Sequence, residues 1–133
     1  MRQALAGENL TVFGDGTQTR CFGHVNDTVD AILRLIESDG AIGEVFNVGS
    51  QREISITDLA QRVIERAESG SGIRFVPYEA AYDPGFEELG RRKPDTTALE
   101  RLTGWSPQRT IEDAIDDTIR YQRAVMSELE ATV

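Results

Sequence analysis

Arginine is the residue type best placed to do chemistry in this chain of 133 residues. Arg20 closes the glycine-bearing loop Gly14-Asp15-Gly16-Thr17-Gln18-Thr19, and Arg91-Arg92-Lys93-Pro94-Asp95 gathers three positive charges ahead of a helix start. A guanidinium stays charged at any working pH and makes paired hydrogen bonds to phosphate oxygens. Two such groups converging from distant loops would suit a diphosphate. On spacing alone the alternative, solvated surface arginines, stays open. Phe13 and Phe86 could offer a stacking face to a base, although aromatics beside strands are more often core.

Other chemistries lack their residues. The glycine loop has no third glycine to complete G-x-G-x-x-G, and no helix follows it at once, so it fails as a dinucleotide turn. A Tyr-x-x-x-Lys proton-transfer pair is excluded, because the only lysine is Lys93 and four residues before it stands Leu89. G-x-S-x-G, H-E-x-x-H and paired-cysteine metal spacings are absent as well. No catalytic group and no metal ligand set is assigned. His24, the single histidine, reads as structural. Cys21 is the only cysteine, which rules out an internal disulfide and favours a reducing, cytoplasmic setting. The net charge of −9, from 23 acidic against 14 basic residues, leaves no positive stripe for nucleic acid. No apolar run approaches the roughly 20 residues of a membrane span.

Stepping along the chain, Met1–Leu5 reads as the last turns of a helix closed by Gly7, and Leu10–Phe13 as a short strand leading into the glycine loop. Asp27 is the expected N-cap of a helix reaching about Ser38, with Val29, Ile32, Leu33 and Ile36 as its buried stripe. Glu44–Val48 reads as a strand covered on both faces. Ser55 and Asp58 form a capping box for a helix whose apolar face is Leu59, Val63, Ile64 and Ala67. A strand at Ile73–Tyr78 and a structured loop from Glu79 to Gly90, around Tyr82 and Phe86, come next. Asp95 caps a short helix ended by Gly104. A second capping box, Thr110 with Asp113, opens a helix to about Met126 that buries Ile111, Ala114, Ile115 and Ile119. The fold class is mixed α/β. Three short strands make a poor independent sheet, which suggests that part of it is supplied from elsewhere.

The segments GENLTVFGDGTQTRCFGHVNDTVDAILRL, GEVFNVGS, ISITDLA and RRKPDTTALERLTGWSP, in that order, resemble the C-terminal part of the extended short-chain dehydrogenase/reductase family. These are NAD-dependent nucleotide-sugar epimerases, dehydratases and decarboxylases. The stretch FEELGRRKPD most resembles the UDP-sugar members, such as UDP-glucuronate decarboxylase and UDP-glucose 4-epimerase. The resemblance covers nearly the whole chain.

It implies that residues 1–133 are one C-terminal nucleotide-sugar-binding portion, inactive alone. The N-terminal Rossmann domain, with its NAD turn and catalytic Tyr-x-x-x-Lys, would be absent from this chain. By the resemblance, Phe13 borders the base, Arg20 reaches the diphosphate, and Arg92 contacts phosphate or sugar. Asp95 reaches the ribose, and Phe86 lines the nucleotide pocket at a position where tyrosine is common. The helix from Asp27 and the strand at Glu44–Val48 would cross back to complete the Rossmann sheet. The complete enzyme would be a homodimer that takes a UDP-sugar and NAD. A non-catalytic binding module, or an inert fragment associating through an exposed sheet edge, are the alternatives.

Overall fold

The alternation in Leu10-Thr11-Val12-Phe13 produces the strand it promises. The computed structural model describes residues 1–83, 85 and 87–130, the side chains of residues 129 and 130 excepted. Strand β1 (Leu10–Phe13) turns Leu10 and Val12 inward, 7% and 2% exposed. It pairs in parallel with Ile73–Val76, from Leu10 opposite Ile73 to Phe13 opposite Val76. A parallel pair requires a long crossover. Here it holds, in order, β2 (Thr19–Cys21), helix α2 (Val25–Ile36), β3 (Glu53–Ser55) and helix α3 (Ile56–Arg66), and Ile73–Val76 is therefore β4. Strands β2 and β3 form a second two-stranded sheet.

The chain divides into two compact units. The first comprises Met1–Thr19, Ile54–Arg91 and the residues from Ile115 onward. Its core is Ala4, Leu10, Val12, Ala60, Val63, Ile64, Ala67, Ile115 and Ile119, all buried. Each fully covered Ile or Leu contributes roughly 1.5–3 kcal/mol. The short N-terminal helix α1 (Arg2–Leu5) is tied to β1 through Gln3, whose amide donates to Thr11 Oγ1 and accepts from the Thr11 amide, both at 3.1 Å. That double bond engages a backbone group β1 does not pair with β4. Ser55 caps α3 by accepting from the Asp58 amide at 3.0 Å.

Helix α3 ends in a 6→1 turn, with the Ser69 amide donating to Ile64 O at 3.0 Å and the Glu68 amide to Glu65 O at 3.1 Å. Glu68 occupies the left-handed position at φ 54°, where a side chain is strained and glycine is not. Glu68→Gly is expected to raise stability by about 0.5–1 kcal/mol, the relieved strain exceeding the added unfolded-state entropy. An unchanged or lowered urea midpoint would refute the assignment of strain there.

The second unit comprises Arg20–Glu53 and Arg92–Ala114. Ala31 of α2 packs with Leu99 and Trp105, and Leu35, Phe46 and Val48 lie against them. Leu99 belongs to helix α4 (Thr97–Thr103), which Gly104 terminates in the left-handed conformation at φ 66°. The last helix, α5 (Ile111–Glu130), gives only its first turn to this unit. Its capping box is reciprocal: Thr110 N donates to Asp113 at 2.8 Å, and Asp113 N donates to Thr110 Oγ1 at 3.2 Å.

Three expectations are corrected here. The N-cap of α2 is His24, whose Nδ1 accepts from the Asn26 amide at 3.1 Å. Asp27 instead lies inside the first turn and is buried at 3% exposure. The stripe Val29, Ile32, Leu33 and Ile36 is not buried: these residues are 48%, 47%, 54% and 75% exposed. The helix turns its opposite face, Asp27, Ala31 and Leu35, toward its own unit. Residues 44–48 form no strand, because no segment among the described residues offers them a hydrogen-bond ladder. Phe46 and Val48 still pack inward, while Val45 is 92% exposed. Among the described residues no helix is long and apolar enough to cross a membrane.

Candidate functional site

The glycine loop is shaped by packing. Gly14 and Gly16 both have positive φ, at 72° and 75°. A Cβ on Gly14 would collide with the Tyr78 ring, and one on Gly16 with Thr57 Oγ1. Asp15 accepts from the Thr17 amide at 2.9 Å and from its hydroxyl at 2.7 Å. These bonds, the backbone one foremost, hold the Asp15 carboxyl below the usual aspartate range. Gly14 N donates to Val76 O at 2.8 Å and Thr19 N to Gly90 O at 2.9 Å. Three of the loop's amides are thus engaged within the protein. A turn so committed is a poor cradle for phosphate, which leaves that task to side-chain cations.

The first turn of α3 fixes the far side of the loop, through Thr57 N to Gly16 O at 3.0 Å and Ile56 N to Gln18 O at 3.1 Å. Phe13, at the end of β1, is not core: the residue is 39% exposed. It meets Tyr82 edge-on at 5.6 Å and 71°, and Tyr82 in turn lies 6.0 Å from Tyr78. Gln18 Nε2 donates to Phe13 O at 3.1 Å and to the Tyr78 hydroxyl at 2.8 Å. Gln18, Tyr78 and Tyr82 were not singled out as site residues from the sequence. The glutamine two residues before Arg20 was the only local signal. Phe86 lies outside the described residues.

In the second unit, the arginines and Asp95 are placed by chain segments far apart in sequence. An isolated parallel bridge joins Thr19 to Arg91 in the first unit. Arg20 and Arg92 are the very next residues on those two segments, which sets them at the same level on adjacent lanes. Arg20 is half-buried, whereas Arg92 is exposed and its guanidinium makes no ion pair or hydrogen bond among the described residues. Lys93 stands 4.0 Å from Glu53, a loose pair.

The segment around Asn47–Gln51 holds the stretch that follows. Asn47 Nδ2 donates to Asp95 O at 3.1 Å, and Gln51 Nε2 donates to the buried Thr96 hydroxyl at 2.5 Å. Asp95 was expected to cap α4. The N-cap proper is Thr96, but Asp95 Oδ1 still accepts from the Thr97 amide at 3.0 Å. Bonds from the Thr97 side chain and amide, with the Arg101 charge behind them, keep the Asp95 carboxyl below its ordinary range. The same unit is latched by Asp27. Its carboxylate accepts from Arg109 Nη1 at 2.6 Å and from the amides of Gln108 and Arg109 at 3.1 and 2.9 Å. Its carbonyl accepts from Trp105 Nε1 at 3.1 Å. Among the described residues no cluster of His, Cys, Asp and Glu could hold a metal ion.

Residues 1–118 match the model of the GDP-mannose 4,6 dehydratase family. The chain belongs to that family. This family member is 40% identical over 125 residues to the UDP-N-acetyl-alpha-D-glucosaminuronate decarboxylase of Bacillus cytotoxicus, covering 94% of this chain and 39% of the relative. It is 40% identical over 119 residues to UDP-glucuronic acid decarboxylase 1 of Danio rerio, covering 90% and 27%. Among solved structures, UDP-glucose 4-epimerase of Thermotoga maritima with UDP-glucose superposes at a TM-score of 0.81 and 27% identity, over 93% of this chain and 38% of that one. UDP-glucuronic acid 4-epimerase of Bacillus cereus, in complex with UDP-glucuronic acid and NAD, gives the same values. The fold is that of the extended short-chain dehydrogenase/reductase epimerases and dehydratases. The chain spans at most about two-fifths of the length of these relatives.

Proposed function

We propose that this chain is the nucleotide-sugar-binding portion of an NAD-dependent epimerase, dehydratase or decarboxylase acting on a UDP-sugar. The observation that carries this reading is Arg92. It is an exposed guanidinium with no ion pair or hydrogen bond among the described residues, one step past the bridge that sets it level with Arg20. Paired guanidiniums match the oxygens of a diphosphate. Phe13 presents a ring to the base, and the Asp95 carboxylate, kept charged by Thr97, accepts from a ribose hydroxyl. Phe86 is proposed to line the nucleotide pocket. Binding the nucleotide far from the reacting carbon fixes the sugar's orientation and supplies interaction energy that the chemical step can draw on.

The residues of this chain do not fit NAD. Three of the glycine loop's amides are engaged internally, and no Tyr-x-x-x-Lys is present. NAD and the proton-transferring groups are assigned instead to an N-terminal Rossmann domain. The relatives' additional length has room for such a domain, and the uncovered apolar face of α2 needs a cover of that kind. The complete enzyme is proposed to be a cytoplasmic homodimer.

Titration of the isotope-labelled chain with UDP and with NAD, followed by NMR, tests the reading. Saturable shifts are expected with UDP at Phe13, Arg20, Arg92 and Asp95, and none with NAD. Absence of UDP binding would sink the site, and saturable NAD binding would overturn the division of labour.

A further inference from the structure

Side chains from one distant segment hold the stretch that carries Asp95. Among the described residues Lys93, Pro94 and Asp95 make no backbone–backbone hydrogen bond. Phe46 and Val48 pack against the Ala31, Leu99 and Trp105 core, and exposed Asn47 between them donates to Asp95 O at 3.1 Å. Gly49 lies against the Pro94 ring, where a Cβ would stand 3.4 Å from Cγ. Gln51 Nε2 makes the shortest of these contacts, 2.5 Å to the hydroxyl of Thr96, a residue only 4% exposed. Thr96 is the N-cap of α4, a place where a threonine hydroxyl ordinarily accepts from a helix amide. Here it makes no such bond, and its backbone, at φ −100° and ψ 8°, is not the extended one of that arrangement. Asp95 Oδ1 takes over by accepting from the Thr97 amide at 3.0 Å, which sets the orientation of the carboxylate.

We infer that Gln51 is a positioning residue of the nucleotide site: by holding the Thr96 hydroxyl away from α4, it keeps the Asp95 carboxylate in the orientation that meets the ligand. This deepens the nucleotide-sugar reading above and rests on it. Gln51 acts through its neighbours and is assigned no contact with the ligand. Without its amide, the buried Thr96 hydroxyl has to find another partner, because an unpaired buried polar group is costly. The first-turn amides of α4 are the local donors for an N-cap hydroxyl. Turning to them draws Thr96 toward extended backbone and displaces Asp95 from the Thr97 amide. The competitor is thus built into the sequence, in adjacent residues that can each cap the same helix.

The test is an NMR titration of the 133-residue chain with UDP, in wild type and in variants of these three residues. Gln51→Ala is expected to weaken UDP binding about fivefold, the equivalent of one net hydrogen bond. Thr96→Val removes the competing hydroxyl, so adding it to Gln51→Ala should restore wild-type affinity. In an Asp95→Ala background, Gln51→Ala should have no further effect, because the residue it acts through is gone. A general loss of structure would behave otherwise: it would persist without Asp95, and a second core substitution would not relieve it. Unchanged affinity in Gln51→Ala, failure of Thr96→Val to rescue it, or a full loss in the Asp95→Ala background overturns the role of Gln51 while leaving the binding site standing. Absence of UDP binding by wild type overturns both.

Discussion

Asp27→Ala is expected to destabilise the second unit by about 3–4 kcal/mol. The carboxylate is 5% exposed and is the common acceptor for the Arg109 guanidinium and the amides of Gln108 and Arg109. Hydrogen bonds to charged groups contribute roughly 1.5–3 kcal/mol each, and donors left unsatisfied by truncation carry a further penalty. Arg109 is 42% exposed and can regain water, which keeps the total below a simple sum. Asp27→Asn retains an acceptor oxygen and should cost about half as much. Trp105, 2% exposed and bonded to the Asp27 carbonyl, supplies an internal fluorescence probe. A urea midpoint for the Trp105 signal that is unchanged in Asp27→Ala would show that the latch contributes nothing. Set against a typical domain stability of about 5–15 kcal/mol, the expected loss is a large fraction of the whole.

Arg20→Ala and Arg92→Ala are each expected to weaken UDP-sugar binding by about 1.5–3 kcal/mol, or roughly 10- to 150-fold. The two should differ in their response to salt. Arg92 is exposed and its contribution is screened as ionic strength rises, whereas half-buried Arg20 keeps more of its effect. Lysine in either place keeps the charge but loses the forked geometry, so partial loss is expected. Because the two residues follow a common bridge, the double variant should lose less than the sum of the single losses. Calorimetry showing wild-type affinity in both single variants would remove the diphosphate from this site.

What the sequence made legible was local. The Thr110–Asp113 box formed as read, and of the Ser55–Asp58 box the Ser55 half is seen; both lie within four residues. Helical periodicity in α2 identified an apolar stripe, but periodicity cannot say whether anything covers it, and nothing described here does. Strands β2 and β3, three residues each, are too short to carry an alternating pattern. Asp27 looked like a cap because a helix start favours aspartate. Its actual partners, Gln108 and Arg109, stand about eighty residues away and leave no local mark. The candidate site divides in the same way. Arg20 and Arg92 were legible as residue types, but their shared level depends on a bridge between Thr19 and Arg91 that no spacing rule encodes. Gln18 became visible only through the partners of its amide.

The outward stripe of α2 also governs how this polypeptide behaves with temperature. Val25, Val29, Ile32, Leu33 and Ile36 stand 47–75% exposed, and Ile42 and Val45 81% and 92%. Near room temperature the drive to remove such surface from water is entropic and weakens on cooling. The excess of negative charge opposes crowding of like chains, and its reach shrinks with added salt. Warm, salty solutions should therefore turn the preparation cloudy, and chilling in dilute buffer should clear it.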